Sequence, residues 1–336
     1  MKWYDNITQD GDIVLSTRVR LARNLEQFPF PCRLDEASKN EVNQTIKTAI
    51  MDTKYSYLKY IDMNQLEEIS ATSLAEKNLI SPEFASNTSG RALFLDEDEQ
   101  ISIMLCEDDH VKIQILSAGL SLDEAFKLAN DIDCQLGEKV NYAFHENLGY
   151  LTQCPTNLGT AMRACVMLHL PAISMSGGIS RLMSTVAKLG LTLRGTFGEI
   201  GEAVGDIYQL SNQVTMGISE QAAITNLHSI TAQIMAQEKS ARENLKDDSV
   251  LIDKVQRAFG VLTSAHMISF TEFITLISLV RLGSSINILD VPLNVLNSLL
   301  ISLQPATMNC NSGLDLSPQD RDLLRAKQIK DVLMNN

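Results

Sequence analysis

Residues 92–116 read ALFLDEDEQISIMLCEDDHVKIQIL. Ala92–Leu95 and Ile101–Leu105 are short apolar runs on either side of the acidic turn Asp96–Gln100, which predicts a hairpin. His110–Leu116 alternates apolar and polar residues and predicts another half-buried strand. Consecutive strands joined by short turns imply an antiparallel sheet. Outward from here, Ile13–Thr17, Leu191–Arg194 and Gln213–Gly217 predict further strands. Helices interleave. Ser121 and Glu124 form a capping-box pattern ahead of Leu122, Phe126, Ala129, Ile132 and Leu136 at helical spacing. Leu158, Met162, Cys165 and Leu168 predict a second helix stopped near Pro171, and Ile179, Leu182, Val186 and Leu189 a third ended by Gly190. Ile224, Leu227, Ile230 and Ile234 begin a long helix running to about Asn244. Beyond Lys246–Ser249 the pattern becomes almost wholly helical, with a strong start at Ser317, Pro318 and Asp320. The class is therefore α+β, with a mixed domain over residues 1–245 and an all-α domain over 246–336.

The chain's 336 residues suffice for two domains with proper cores. A hydrophobic share of 45% predicts a folded protein, and a net charge of -13 argues against nucleic acid or an anionic membrane as partner. No apolar run reaches the ~18 residues of a spanning helix, and the N-terminus lacks the apolar segment of a signal peptide. The cysteines at 32, 106, 134, 154, 165 and 310 show no CxxC, which predicts free thiols in a reducing cytoplasm. The five histidines are scattered without metal-ligand spacing, so no metal site is predicted.

Against this acidic background several arginines stand in glycine- or polar-punctuated segments: Arg18 and Arg20, Arg91, Arg163 and Arg194. Arginine offers a planar, permanently charged fork that suits phosphate oxygens. In Arg194-Gly195-Thr196-Phe197-Gly198-Glu199 the glycines permit close approach to a ligand, with a cation at one end and a carboxylate at the other; a plain glycine-rich turn would read the same way. Cys106-Glu107-Asp108-Asp109-His110 could supply a base or help hold a metal, or be a solvated acidic turn. Cys154 precedes the predicted helix that carries Arg163, a place that lowers a thiol's pKa; a structural cysteine is the plain alternative.

Taken in order, Ser16-Thr17-Arg18-Val19-Arg20-Leu-Ala-Arg-Asn24, Glu107–His110, Gly149–Thr160 and Arg194–Glu199 resemble the ATP:guanidino phosphotransferases, the phosphagen kinase family, over essentially the whole chain. The chain is most similar to the bacterial protein arginine kinase branch, which lacks the N-terminal helical domain of classical members and carries a phosphoarginine-reading motif, here Arg321-Asp322-Leu-Leu-Arg325-Ala326. On one capped helix Arg321 and Arg325 would share a face and clamp one anion, with Asp322 on the guanidinium. The resemblance implies transfer of the γ-phosphoryl of ATP to arginine side chains of proteins. It implies Glu199 and Asp108 as catalytic carboxylates and Cys154 as a thiol tuning the site. It implies an ATP cradle from Ser16, Thr17, Arg18, Val19 and Arg20, from Lys112, from Arg163, Ala164, Cys165, Val166 and Met167, and from Arg194, Gly195, Thr196, Phe197, Gly198 and Glu199. Magnesium would be held largely by the nucleotide. A homodimer, a zinc-binding activator protein and a chaperone-linked protease are implied as partners.

The chain departs from the family pattern at four places. Asp108 stands for a glutamate, and misplacement of ~1 Å can cost roughly a hundredfold in rate. Lys112 stands for an arginine and loses the bidentate fork, Cys106 stands for an asparagine, and Asn78 for a histidine. An active protein arginine kinase, a weakened homologue acting as a nucleotide- or phosphoarginine-binding adaptor, and a kinase for small guanidino compounds are the readings these residues leave open.

Overall fold

A computed structural model of the chain describes residues 2–197 and 203–334. In chain order the elements are β1 Val14–Arg23, α1 Glu36–Met51, β2 Lys59–Asp62, α2 Glu68–Glu76, α3 Pro82–Ser86, β3 Ala92–Leu95, β4 Ile101–Leu105, β5 Val111–Ala118 and α4 Leu122–Gly137. They continue with β6 Phe144–His145, β7 Gly149–Tyr150, β8 Met162–His169, α5 Pro171–Met175, α6 Ile179–Lys188, β9 Leu191–Phe197, β10 Ala203–Asn212 and α7 Glu220–Leu245. The last are α8 Ser249–Ser264, α9 Phe270–Ser285, α10 Leu293–Ser302, α11 Pro305–Ser312 and α12 Pro318–Met334. Eight strands form one sheet in the order β2-β3-β4-β5-β1-β8-β10-β9, and every described pairing in it is antiparallel. The α+β class read from residues 92–116 therefore holds.

Because successive side chains of a strand point to opposite faces, the sheet has two different surfaces. Val19, Leu21, Ile113, Ile115, Val166, Leu168, Leu193 and Leu210 face α1, α4, α6 and α7 and form the main core with Ile46, Ile132, Val186 and Leu227. On the other face, Leu15, Met167 and Ile207 pack under the C-terminal helices against Phe273, Ile274 and Ile277. Leu296, Leu299, Leu300 and Leu303 belong to this second core, so these positions serve the chain's own interior. The cover stops partway along the strands, and the uncovered part of that face is polar.

Four local expectations are corrected. Residues 162–169 form the strand β8 in place of a helix. β8 is central and almost wholly buried, and an apolar run buried on both faces shows no period that separates strand from helix. Pro171 starts the short α5. Gln213–Gly217 is a loop, held by Thr215 Oγ1 donating to the carbonyls of Thr156 and Leu158, and the strand lies at 203–212. Ser121 does not cap α4 through its side chain, because its hydroxyl donates to the carbonyl of Ala118. By contrast, Ser317 caps α12, accepting from Asp320 N at 3.2 Å and donating to Asp320 Oδ2 at 2.6 Å.

Candidate active site

The uncovered half of the sheet face forms the floor of a cavity of about 720 Å3. Strand register builds it. Arg20 of β1 lies opposite Arg163 on β8, and Ala22 of β1 opposite Lys112 on β5. Arg194 on β9 lies opposite Gln209 on β10, and Ser211 lies opposite both Thr192 and Cys165. All these residues line the cavity, and Asp108, Asn157 and Thr215 border it from loops. Arg18 sits in a narrow slot beside it with Ser16, Asn78, Cys165, Met167 and Gln209. Residues as far apart in sequence as Arg20 and Arg194 thus converge because β1 lies between β5 and β8, with β9 and β10 beyond.

The floor carries uncompensated positive charge. Arg18 Nη2 donates to the amide oxygen of Gln209 at 2.8 Å. Arg163 Nε donates to Asn157 Oδ1 at 3.0 Å, and its Nη1 to the carbonyl of Asn212 at 2.9 Å. The Nε atoms of Arg18 and Arg20 are buried with no hydrogen-bond partner among the described residues. Burial, and then the like charge of Arg18, push the Arg20 guanidinium down to about 10. Buried cations without partners disfavour the folded chain, and a polyanion filling the cavity would relieve that penalty. The donor set fits the phosphates of a nucleotide and magnesium carried on them.

The acidic run is sorted by its tight turn, which opens on Cys106 at φ +58. Glu107 is buried and paired with both Ser81 and Lys112. Asp108 alone reaches the cavity, with a side chain 62% exposed and Oδ2 4.0 Å from Lys112 Nζ. Asp109 takes Asn24 Nδ2 at 2.6 Å and Gln153 N at 2.8 Å, tying down the loop that carries Cys154. His110 is buried; its Nδ1 accepts from Leu25 N and its Nε2 faces the carbonyl of Pro29. Burial holds this imidazole down at about 4, and both ring nitrogens are engaged by backbone groups, so it serves as a neutral strut. Burial and the nearby Arg20 lower the Lys112 ammonium.

Most of the other expected site residues lie outside the cavity. Val19 and Val166 are in the apolar core, and the Thr17 hydroxyl donates to the carbonyl of Gly119. Ala164 reaches the cavity wall from that core, while Met167 packs under the helices. Ser16 belongs to the Arg18 slot. Thr196 Oγ1 donates to the carbonyl of Ile207, and Gly195 lies opposite Tyr208. Phe197, at φ +64, packs edge-to-face against Phe270 of α9 with ring centroids 6.3 Å apart. Gly198 and Glu199 lie outside the described residues. Cys154 precedes a three-residue 3-10 turn, Pro155–Asn157, in place of a long helix. Its sulfur lies 3.0 Å from Thr156 Oγ1, beside a wall made by Pro155, Thr156 and Asn157. Arg91 is structural, donating to the carbonyls of Glu83, Asn87 and Cys106. Arg321 and Arg325 do not form an open clamp. Arg325 is buried and donates to the carbonyls of Leu303 and Ile268 and to Asp322, while Arg321 donates to the carbonyl of Leu316. Thr192, Gln209, Ser211 and Asn157 were missed from sequence; the alternation Thr192/Arg194 and Gln209/Ser211 is the signal that a correct strand assignment would have supplied.

Comparison with known proteins agrees with this geometry. The ATP:guanido phosphotransferase C-terminal catalytic domain matches residues 41–241, and the protein-arginine kinase McsB C-terminal domain matches residues 248–336. A protein-arginine kinase of Halothermothrix orenii is 43% identical over 331 residues, covering 98% of this chain and 95% of the relative. One from Caldanaerobacter subterraneus subsp. tengcongensis is 42% identical over 330 residues, covering 96% and 98%. Among solved structures, the duplicated taurocyamine kinase of Schistosoma mansoni with bound transition state analog components superposes with a TM-score of 0.63 at 22% identity, over 84% of this chain and 47% of that one. A lombricine kinase gives 0.61 at 23% identity, over 71% and 69%. The shared fold, two successive domain matches and full-length relatives place this chain in the ATP:guanido phosphotransferase family, on its protein-arginine kinase branch.

Proposed function

We propose that the chain transfers the γ-phosphoryl group of MgATP to arginine side chains of proteins. The observation that carries this reading is the convergence of Arg20, Lys112, Arg163 and Arg194 on one cavity with Asp108 at its edge. The cations hold the triphosphate and match the charge spread over the transferring group in a loose transition state. The guanidinium nitrogen of the substrate attacks phosphorus, an N–P bond forms, and the bond from phosphorus to the β,γ-bridging oxygen breaks to release ADP. A carboxylate holds the guanidinium in line and accepts its proton. We assign that work to Asp108 together with Glu199. Magnesium, carried on the phosphates, supplies charge neutralisation there. Cys154, next to the cavity wall, tunes the site without a covalent intermediate.

We further propose residues 1–245 as the catalytic domain and 246–336 as a domain for dimerisation and phosphoarginine reading. In that reader Arg321 and Asp322 meet the ligand, and Arg325 braces Asp322 from within. A cytoplasmic location, a zinc-binding activator and a chaperone-linked protease complete the proposal; no helix among the described residues is long and apolar enough to cross a membrane. The test is to incubate the pure protein with γ-labelled ATP, magnesium and an unfolded arginine-rich protein such as casein. Acid-labile label on arginine is the expected result. Label on free arginine or creatine instead, or no transfer in the presence of nucleotide binding, would overturn it.

A further inference from the structure

The hydrogen-bond partners of the arginines in and beside the cavity are neutral. Arg18 donates to the amide oxygen of Gln209, and Arg163 to that of Asn157 and to the backbone carbonyl of Asn212. No salt bridge to Arg18, Arg20, Arg163 or Arg194 occurs among the described residues. Elsewhere in the same fold Arg23 meets Asp133, Arg242 meets Glu238 and Asp12, and Arg325 meets Asp322. In a chain with 41 acidic residues against 28 basic ones, the carboxylates are kept off this floor. Lys112, at the edge, is the exception, paired with Glu107 and near Asp108.

A carboxylate in place of either amide would make the stronger, charge-assisted hydrogen bond and hold its arginine more firmly. It would also cancel the charge offered to an incoming phosphate and repel the phosphate directly. In a partly desolvated cavity neither effect is well screened. An amide orients the guanidinium while leaving its full charge available. Gln209 is well placed for this, since it borders both the cavity and the slot that holds Arg18, and lies opposite Arg194 in the sheet.

We infer that Gln209 and Asn157 are positioning residues of the nucleotide site, whose neutrality is what the site requires of them. The inference rests on the proposed nucleotide reading of the cavity. Gln209→Glu separates neutrality from geometry, because it keeps the shape and the acceptor oxygen while adding charge. MgATP affinity by calorimetry, KM and kcat, and melting temperature with and without MgATP are measured for wild type, Gln209→Glu and Gln209→Ala. Gln209→Glu is expected to melt at or above the wild type without nucleotide, since it relieves cation repulsion. It is expected to weaken MgATP binding roughly 10- to 100-fold and to raise KM more than Gln209→Ala does. Should Gln209→Glu bind MgATP as the wild type does, or better than Gln209→Ala, Gln209 is only a structural partner and the inference fails. Should Gln209→Glu not fold, Asn157→Asp carries the same test at Arg163 with the same two outcomes. A wild type that does not bind MgATP would defeat the nucleotide reading itself, which keeps the two failures apart.

Discussion

At the residue scale, the acidic turn shows how one run of similar side chains divides its labour. Asp108 faces the cavity while Glu107, Asp109 and His110 turn inward to hold Lys112, the Cys154 loop and the 25–29 segment. Asp108→Glu extends the carboxylate by one methylene toward the cavity and is expected to raise the rate of phosphoryl transfer, read as kcat with casein; a fall in kcat would show that Asp108 is already at the right reach. The buried histidines give a pH signature. His110 titrates near 4 in the fold against 6.5 when free, and His169 also lies well below 6.5, both chiefly through burial. Below the free value the unfolded chain binds protons that the fold does not, so stability falls as pH drops from 6.5 toward 4. One pH unit below the free value the loss is about 1.4 kcal/mol per histidine. The urea midpoint should therefore decline between about pH 7.5 and 5.5, and a flat profile would contradict the neutral assignments.

At the element scale, two contacts set where helices begin and how closely they pack. The Ser317 cap satisfies an otherwise unpaired amide of α12, so Ser317→Ala should cost roughly 1 kcal/mol in urea denaturation, with Ser317→Asp recovering most of it. Gly205 of β10 sits at φ +70, and a Cβ there would lie 2.6 Å from Ile274 Cγ2 and 2.8 Å from the Ile274 carbonyl oxygen. Gly205→Ala must therefore strain the backbone and push α9 off the sheet, at an expected cost of roughly 1–3 kcal/mol. A melting temperature unchanged from wild type would disprove that close approach. β8 belongs to this scale too. Its residues were legible as apolar, but its conformation follows from pairing with β1 on one side and β10 on the other.

At the scale of the whole molecule, a buried polar network joins the C-terminal helices to the sheet. Arg281 of α9 donates to the carbonyls of Gly11 and Asp12 and to Asn297, and lies 3.0 Å from His169 Nδ1. His169 Nε2 meets Ser278, which donates to Asp206; Arg242 joins Glu238, Asp12 and the His169 carbonyl. These links cross between the two cores, so both are expected to unfold in one transition, followed by circular dichroism and Trp3 fluorescence. Arg281→Met leaves several buried carbonyls unpaired and should lower stability by roughly 3–5 kcal/mol. Separate transitions in the wild type would show that the two cores fold independently.

The α+β class, the hairpin at 92–105, the long helix α7, the capped α12 and the family are all legible in the residues alone, because they rest on local periodicity, turn chemistry and motif order. So are Arg20, Lys112, Arg163 and Arg194 as candidate phosphate ligands. That residues 162–169 are a strand, that Val19 and Val166 face the core, that Arg91 and Arg325 are spent on carbonyls and, for Arg325, on Asp322, and that Gln209 and Asn157 hold Arg18 and Arg163 follow from long-range packing alone. Side-chain direction in a sheet is fixed by register with neighbours far away in sequence. A buried strand, a buried arginine and an amide on the right face leave no local pattern by which to read them.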